Sequence, residues 1–118
     1  MLFDTAFQSL QQNPSITLGR MSRKLLISRR TIQKAIALQT GRGFRELREE
    51  ILVAKAKSLF VSEPTLAIKA ISFALGYKSQ RSFARAVRRA TGISPEELRF
   101  VVGEKRLEQH EMPIAAKT

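Results

Sequence analysis

Two stretches of this sequence match each other and decide its fold: SRRTIQKAIALQTG at residues 28–41 and SQRSFARAVRRATG at residues 79–92. The offset between them is 51 residues throughout, with no gap. The matching pairs are Ser28/Ser79, Arg30/Arg81, Thr31/Ser82, Ile32/Phe83, Lys34/Arg85, Ile36/Val87, Thr40/Thr91 and Gly41/Gly92. Serine is a favoured N-cap of a helix, and glycine favours the residue that ends one. The sequence therefore predicts two equivalent helices, at about residues 29–39 and 80–90.

Each of these predicted helices has one apolar and one polar face. The apolar faces carry Ile32 and Ile36 in the first helix and Phe83 and Val87 in the second, at a spacing of one helical turn. The opposite faces carry Arg30, Gln33, Lys34 and Ala37 in the first helix, and Arg81, Arg85 and Arg88 in the second. We expect the apolar face to hold each helix on a hydrophobic core and the polar face to contact a ligand.

The sequence around the two stretches predicts five more helices and no strands. Apolar periodicity favours helices at about residues 2–12, 15–26, 44–60 and 66–74, with Ala54 and Phe73 assigned to the core. Ser94 and Pro95 predict the cap and first residue of a seventh helix. The expected fold is all-α, with helix-turn-helix subdomains at 1–43 and 62–102, a long linker helix at 44–61 and a flexible tail at 103–118.

The charge of the chain is strongly basic and unevenly distributed. The 21 Lys and Arg residues against 10 Asp and Glu give a net charge of +11. No acidic residue lies between Asp4 and Glu46 or between Glu63 and Glu96, and both intervals are rich in Lys and Arg. Two basic blocks separated by a mixed segment indicate a polyanion that is contacted at two places.

The chemistry of the polar faces fits double-stranded DNA. In a helix-turn-helix, the second helix enters the major groove, where Arg or Lys donates to guanine and Gln pairs with adenine. The base-reading residues predicted on this ground are Arg30, Gln33, Lys34, Arg81 and Arg85. Residues at the capped helix starts, near the turns and on the outer faces are assigned to DNA phosphates: Ser28, Arg29, Arg42, Lys78, Ser79, Arg88 and Arg89. We call the two helices predicted to contact bases, at about residues 29–39 and 80–90, the readers. A linker helix of roughly 25 Å could hold the two readers close to one DNA turn, about 34 Å, apart.

The segment AISFALGYKSQRSFARAVRRATGISPEELR, residues 70–99, resembles the DNA-binding domain of the AraC/XylS family of bacterial transcription regulators. The residues that carry the resemblance are Ile71-Ser72, Gly76-Tyr77, Phe83, Val87 and Gly92-Ile93-Ser94-Pro95 to Arg99. The first half of the chain matches more loosely. The resemblance implies seven helices, two helix-turn-helix units and base contacts from the third and sixth helices, which adds Gln80 to the predicted readers.

Several positions depart from the family pattern. Leu52 stands where the linker helix usually has arginine, and Arg81 where serine is usual. Ile36 and Val87 replace a common phenylalanine, which predicts less filled cores. Most members also carry a ligand-binding or dimerisation domain, so the chain is either a stand-alone monomeric regulator or a shortened product of a larger gene. Activators in the family contact RNA polymerase, which makes the polymerase a second expected partner.

Other function classes find little support in the sequence. The chain has no cysteine and one histidine, His110, so we expect no disulfide, no metal and no cofactor. No Ser-His-Asp set or P-loop is present, and we expect no enzymatic activity. Neither a membrane span nor a signal peptide is visible, which predicts a cytoplasmic, nucleoid-associated protein. Two alternatives stay open: a nonspecific nucleoid or RNA-binding protein, and an adaptor fragment of a larger regulator.

Overall fold

The computed structural model describes residues 1–104, and this part of the chain is all-α with seven helices. Six of them are α1 Leu2–Gln12, α2 Leu18–Leu25, α3 Arg29–Thr40, α4 Phe44–Ser62, α5 Ile68–Ala74 and α6 Gln80–Thr91. Helix α7 begins at residue 95 and includes residues 103 and 104, the last described. Most of the expected tail, residues 105–118 with His110, lies outside the described residues. None of the helices described is both long and apolar enough to cross a membrane.

The caps of α3 and α6 confirm the local prediction from the repeat. The side chains of Ser28 and Ser79 each accept a hydrogen bond from the backbone N–H three residues later. Gly41 and Gly92 end the helices in the left-handed conformation, with φ of 72° and 82°. Helix α2 begins later than predicted because Thr17, and not Ser15, caps it by accepting from the N–H of Arg20.

The buried side chains form two hydrophobic clusters. The first joins α1, α2 and α3 to the start of α4 and contains Ala6, Leu10, Ile16, Met21, Ile32, Ile36, Phe44, Leu47 and Ile51. The second joins the rest of α4 to α5, α6 and α7 and contains Leu52, Ala56, Phe60, Ile68, Ile71, Leu75, Phe83, Ala86, Val87 and Leu98. We call the two halves the first and second unit. Each unit contains one helix-turn-helix, α2–α3 or α5–α6.

Helix α4 changes the face that it buries where the two units meet. Ile51 belongs to the first cluster and Leu52 to the second, although they are neighbours in sequence. Successive helical residues point about 100° apart, so the buried stripe rotates from one core to the other at this step. Leu52, at a position where the family usually has arginine, is fully buried. The prediction that Ala54 faces the core is wrong, because Ala54 falls outside both stripes and is exposed.

Helix α5 buries Ile68, Ile71 and Ser72, and Leu75 just beyond it continues the same stripe. The prediction that Phe73 belongs to the core is wrong, because 49% of its surface is exposed. Phe73 lies beside the stripe, with the ammonium of Lys69 6.0 Å from its ring centroid. Ile36 and Val87 are both fully buried, and the expectation that the cores around them are less filled stays a prediction.

The two units are alike over a longer stretch than the sequence repeat shows. Arg48, just inside α4, lies over the ring of Phe44 at 5.6 Å and donates to the carbonyl oxygen of Ile16 at 3.1 Å. Arg99, on α7, lies over Phe60 at 5.2 Å and donates to the carbonyl oxygen of Leu66. In each unit, an arginine after the second helix of the helix-turn-helix therefore holds the segment before its first helix. The equivalence spans residues 16–48 and 66–99.

Candidate nucleic-acid interface

Helix α3 presents an exposed polar face opposite its buried one. Ile32 and Ile36 are fully buried, which fixes the rotation of the helix on the first core. The predicted base readers Arg30, Gln33 and Lys34 are all exposed. Residues three and four apart lie on one side of a helix, so these three side chains project together into solvent.

Helix α6 repeats this arrangement in the second unit. Phe83 and Val87 are fully buried and hold it on the second core. The remaining predicted readers, Gln80, Arg81 and Arg85, are exposed. Arg88, predicted for phosphate contact, is exposed one turn after Arg85. The structure thus brings the predicted readers together as two separate groups, one on each unit.

The two capping serines have hydroxyl groups that already make contacts within the chain. Ser28 Oγ accepts from the N–H of Thr31 at 3.2 Å and lies 2.8 Å from the Thr31 hydroxyl. Ser79 makes the same contacts with Ser82, at 3.1 and 3.0 Å. A capped helix start still offers N–H groups of its first turn to a phosphate. The backbone at these two positions is therefore better placed for phosphate contact than the hydroxyls.

Arg42 and Arg89, both predicted for phosphate, face carboxylates of α4. Arg42 pairs with Glu50, and Arg89 pairs with Glu49, which also lies 3.6 Å from Arg45. The paired residues Arg42, Glu50, Arg89 and Glu49 line an open groove of about 670 Å³ between α4 and the end of α6. The exposed Arg42–Glu50 pair contributes only about 0–1 kcal/mol, so it does not prevent Arg42 from turning to a phosphate. The side chain of Glu49 is only 13% exposed, so Arg89 is held more firmly. No group of three potential metal ligands is found in the part of the chain described.

Arg29 lies apart from the reading face of α3. Its guanidinium crosses Gly19 on α2, and a Cβ at Gly19 would be 2.9 Å from Nη2 of Arg29. From the sequence, Gly19 is only a weak helical position. The structure shows that its missing side chain makes room for Arg29. Three cations of α2, Arg20, Arg23 and Lys24, are also exposed.

Leu38 is an exposed apolar residue that is not among the predicted site residues. It is 82% exposed and lies four residues after Lys34, on the polar side of α3. The equivalent residue of α6 is Arg89. The signal in the sequence is that Leu38 falls outside the Ile32/Ile36 stripe, so the apolar periodicity does not require its burial.

Tyr77 connects the turn before α6 to the second core. Its ring lies 5.7 Å from that of Phe83, and the side chain is half-buried. Burial raises the pKa of the Tyr77 hydroxyl above its usual value, and the charges of Arg48 and Arg89 partly oppose this rise. Lys78, predicted for phosphate, follows it and is exposed beside the start of α6.

Comparison with known proteins gives a consistent assignment. A sequence model of the helix-turn-helix domain, of the AraC type, matches residues 21–100. No curated protein matches the sequence. The C-terminal domain of AraT, a response regulator from Geobacillus stearothermophilus, is similar in structure with a TM-score of 0.72 and 28% identity, over 85% of this chain and 84% of that one.

Two further solved structures share the fold. The C-terminal domain of the two-component response regulator yesN from Fusobacterium nucleatum has a TM-score of 0.67 and 20% identity, over 83% of this chain and 94% of that one. A DNA-binding transcriptional dual regulator from Escherichia coli K-12 has a TM-score of 0.64 and 22% identity, over 87% of this chain and 93% of that one.

Proposed function

The chain belongs to the AraC-type family of helix-turn-helix domains, and from this premise we propose that it is a sequence-specific regulator of transcription that reads two successive major-groove segments of double-stranded DNA. The family consists of DNA-binding transcription regulators that are not enzymes. The observation that supports reading at two sites is the duplication of one arrangement. Both α3 and α6 are capped, are held by a fully buried apolar face and expose a set of hydrogen-bond donors.

Within this proposal, the base-reading side chains are Arg30, Gln33 and Lys34 on α3 and Gln80, Arg81 and Arg85 on α6. The first turns of both helices, capped by Ser28 and Ser79, bind phosphate through backbone N–H groups. Lys78 and Arg88 bind phosphate beside the second reader. Arg29, Arg42 and Arg89 bind phosphate at the margins of the interface, the last two after release from Glu50 and Glu49.

Leu38 adds an apolar contact to the first reader. An exposed leucine on a face of cations is suited to the C5-methyl group of thymine in the major groove. Its counterpart Arg89 is paired with Glu49. We therefore expect a preference for thymine at the edge of the sequence read by α3, without a counterpart in the sequence read by α6.

The proposal includes a monomer on DNA, because one chain carries both readers. Helix α4 has 19 residues, about 28 Å at 1.5 Å per residue, and so spans most of one DNA turn. Two readers held rigidly at that distance favour bent DNA. RNA polymerase remains an expected second partner, and a DNA target implies action at the nucleoid in the cytoplasm.

A nonspecific nucleic-acid coat is the second candidate, favoured by the net charge of +11. Such binding depends on phosphates alone and falls steeply as salt rises. An RNA-binding protein would show the same dependence on salt, whereas an adaptor fragment that no longer reads DNA would use neither set of donors.

Selection of bound sites from a random duplex library at near-physiological salt tests the proposal. A specific regulator enriches a motif of two boxes about one turn apart. Arg85→Ala then weakens binding to the selected site by about 1–3 kcal/mol and changes binding to random DNA little. Arg23→Ala, which removes an exposed cation of α2 that is outside the readers, is the matched control and weakens both DNAs alike.

Three results would contradict the proposal. Absence of an enriched motif, or equal loss by Arg85→Ala on both DNAs, would support the nonspecific coat. If Arg85→Ala and Arg23→Ala change binding to neither DNA, the adaptor is supported.

A further inference from the structure

A loop of the first unit contacts the turn of the second. The hydroxyl of Ser15, between α1 and α2, lies 2.7 Å from the carbonyl oxygen of Gly76, between α5 and α6. It also lies 2.7 Å from Oδ1 of Asn13, so its single proton serves two acceptors. Oδ1 of Asn13 further accepts from the N–H of Ser15 at 3.3 Å. We call this contact, formed by Asn13, Ser15 and Gly76, the clasp.

The clasp requires glycine at position 76 for two reasons. Gly76 has a φ of 92°, which side-chain-bearing residues rarely adopt. A Cβ at Gly76 would also lie 2.3 Å from Oδ1 of Asn13 and 2.7 Å from Oγ of Ser15. A side chain at position 76 would therefore displace the side chains of Asn13 and Ser15 that form the clasp.

Within residues 1–104, the equivalent loop of the second unit forms no such hydrogen bond with a turn. The loop of the second unit that corresponds to Asn13-Pro14-Ser15 is Glu63-Pro64-Thr65, at an offset of 50 residues. Pro14 is buried whereas Pro64 is exposed. The clasp is therefore not part of the architecture of a single unit but a contact between the two.

The clasp lies close to the start of α6, the second reader, and restrains its position. The units are covalently joined by α4 alone, and one helix can bend or twist. Gly76 precedes Ser79, the N-cap of α6, by three residues. A second attachment at Gly76, across 61 residues of sequence, restrains the start of α6 relative to the first unit, which carries α3.

We propose that the clasp sets the distance and angle between the two reading helices, and thereby the spacing that the protein requires between its two DNA boxes. Asn13, Ser15 and Gly76 are positioning residues in this inference, which rests on the proposed two-box reading. Two modules on a rigid link bind together only when the sites match their separation, and otherwise the gain from the second module is lost.

The test compares the two-box site found by selection with probes whose spacer is longer or shorter by about two base pairs. The wild-type chain is expected to lose roughly 100-fold in affinity on the altered spacers, the lower end of what a second linked module contributes. Asn13→Ala/Ser15→Ala should lose less than about tenfold on these probes, because its units adjust to the new spacing. Thr65→Ala, the matched change in the exposed loop of the second unit, should keep the wild-type profile.

A measurement on the free protein tests the clasp independently of the proposed function. Residual dipolar couplings report whether the two units of the free protein share one orientation. The couplings of wild type and Thr65→Ala should fit a single alignment tensor for both units. The couplings of the double variant should need a separate tensor for each unit. The inference is overturned if the double variant keeps one alignment or keeps the wild-type spacer penalty. If the wild-type chain selects no two-box motif, the proposed function fails, whereas the orientation result still decides whether the clasp fixes the units.

Discussion

The turns of the two helix-turn-helix units have the same path but different residues and surroundings. In the first, the N–H of Ile27 donates to the carbonyl of Ser22, and in the second the N–H of Tyr77 donates to the carbonyl of Ser72. The left-handed residue is Leu26 at a φ of 57° in the first turn and Gly76 at 92° in the second. The side chain of Leu26 is 90% exposed, whereas Asn13 and Ser15 lie against Gly76 on the side where a Cβ would be.

This difference shows that a backbone conformation and its surroundings make separate demands on sequence. A leucine in the left-handed region costs roughly 1–2 kcal/mol, and the first turn accepts that cost because the side chain extends into solvent. The second turn has the added demand of close contact with the side chains of Asn13 and Ser15. Only the second position is therefore restricted to glycine by both conformation and space.

Gly76→Ala should have the largest effect of the three changes that test this comparison. The strained φ and the overlap with Asn13 and Ser15 together predict a loss of about 2–4 kcal/mol in the free energy of unfolding. Urea denaturation measures it. Gly92→Ala, which has a similar φ of 82° but open space around the Cβ, is the control and should lose only the conformational part, about 1–2 kcal/mol. Equal losses would show that the clasp imposes no steric demand.

Arg99→Ala should come next, because it removes the arginine that holds the segment before α5. A hydrogen bond from a charged group contributes about 1.5–3 kcal/mol, and the carbonyl of Leu66 would lose this partner. Arg48→Ala removes the equivalent bond to Ile16 in the first unit and should cost a similar amount. Thermal or urea unfolding of both variants compares the units. A large loss from one and none from the other would show that the equivalence is geometric only.

Leu26→Gly should have the smallest effect, and it has the opposite sign. Relief of the left-handed strain is partly offset by the greater freedom of glycine in the unfolded chain, which leaves a gain of about 0.5–1 kcal/mol in the free energy of unfolding. Leu26→Ala is the control, because it keeps the strain and removes only an exposed side chain. If Leu26→Gly destabilises the protein while Leu26→Ala does not, the first turn is not strained.

Features that depend on residues within a turn of each other were predictable from the sequence. The serine caps, the Thr-Gly ends and the apolar spacing of α3 and α6 are local interactions, and each was confirmed. The resemblance to the AraC-type family was also confirmed, since its motifs are short and contiguous. The predicted DNA contacts follow from the same local pattern and remain proposals.

The sequence by itself thus determined seven helices, two of them matched with one buried and one polar face. Only the tertiary structure decided which partners distant residues meet. The bond from Ser15 to Gly76 spans 61 residues, that from Arg89 to Glu49 spans 40, and that from Arg99 to Leu66 spans 33. It also decided that the buried face of α4 changes from the first core to the second between Ile51 and Leu52. About half of the surface of Phe73 is exposed. The physical reason is that caps and periodicity act within about four residues, whereas these features depend on how elements distant in sequence pack together.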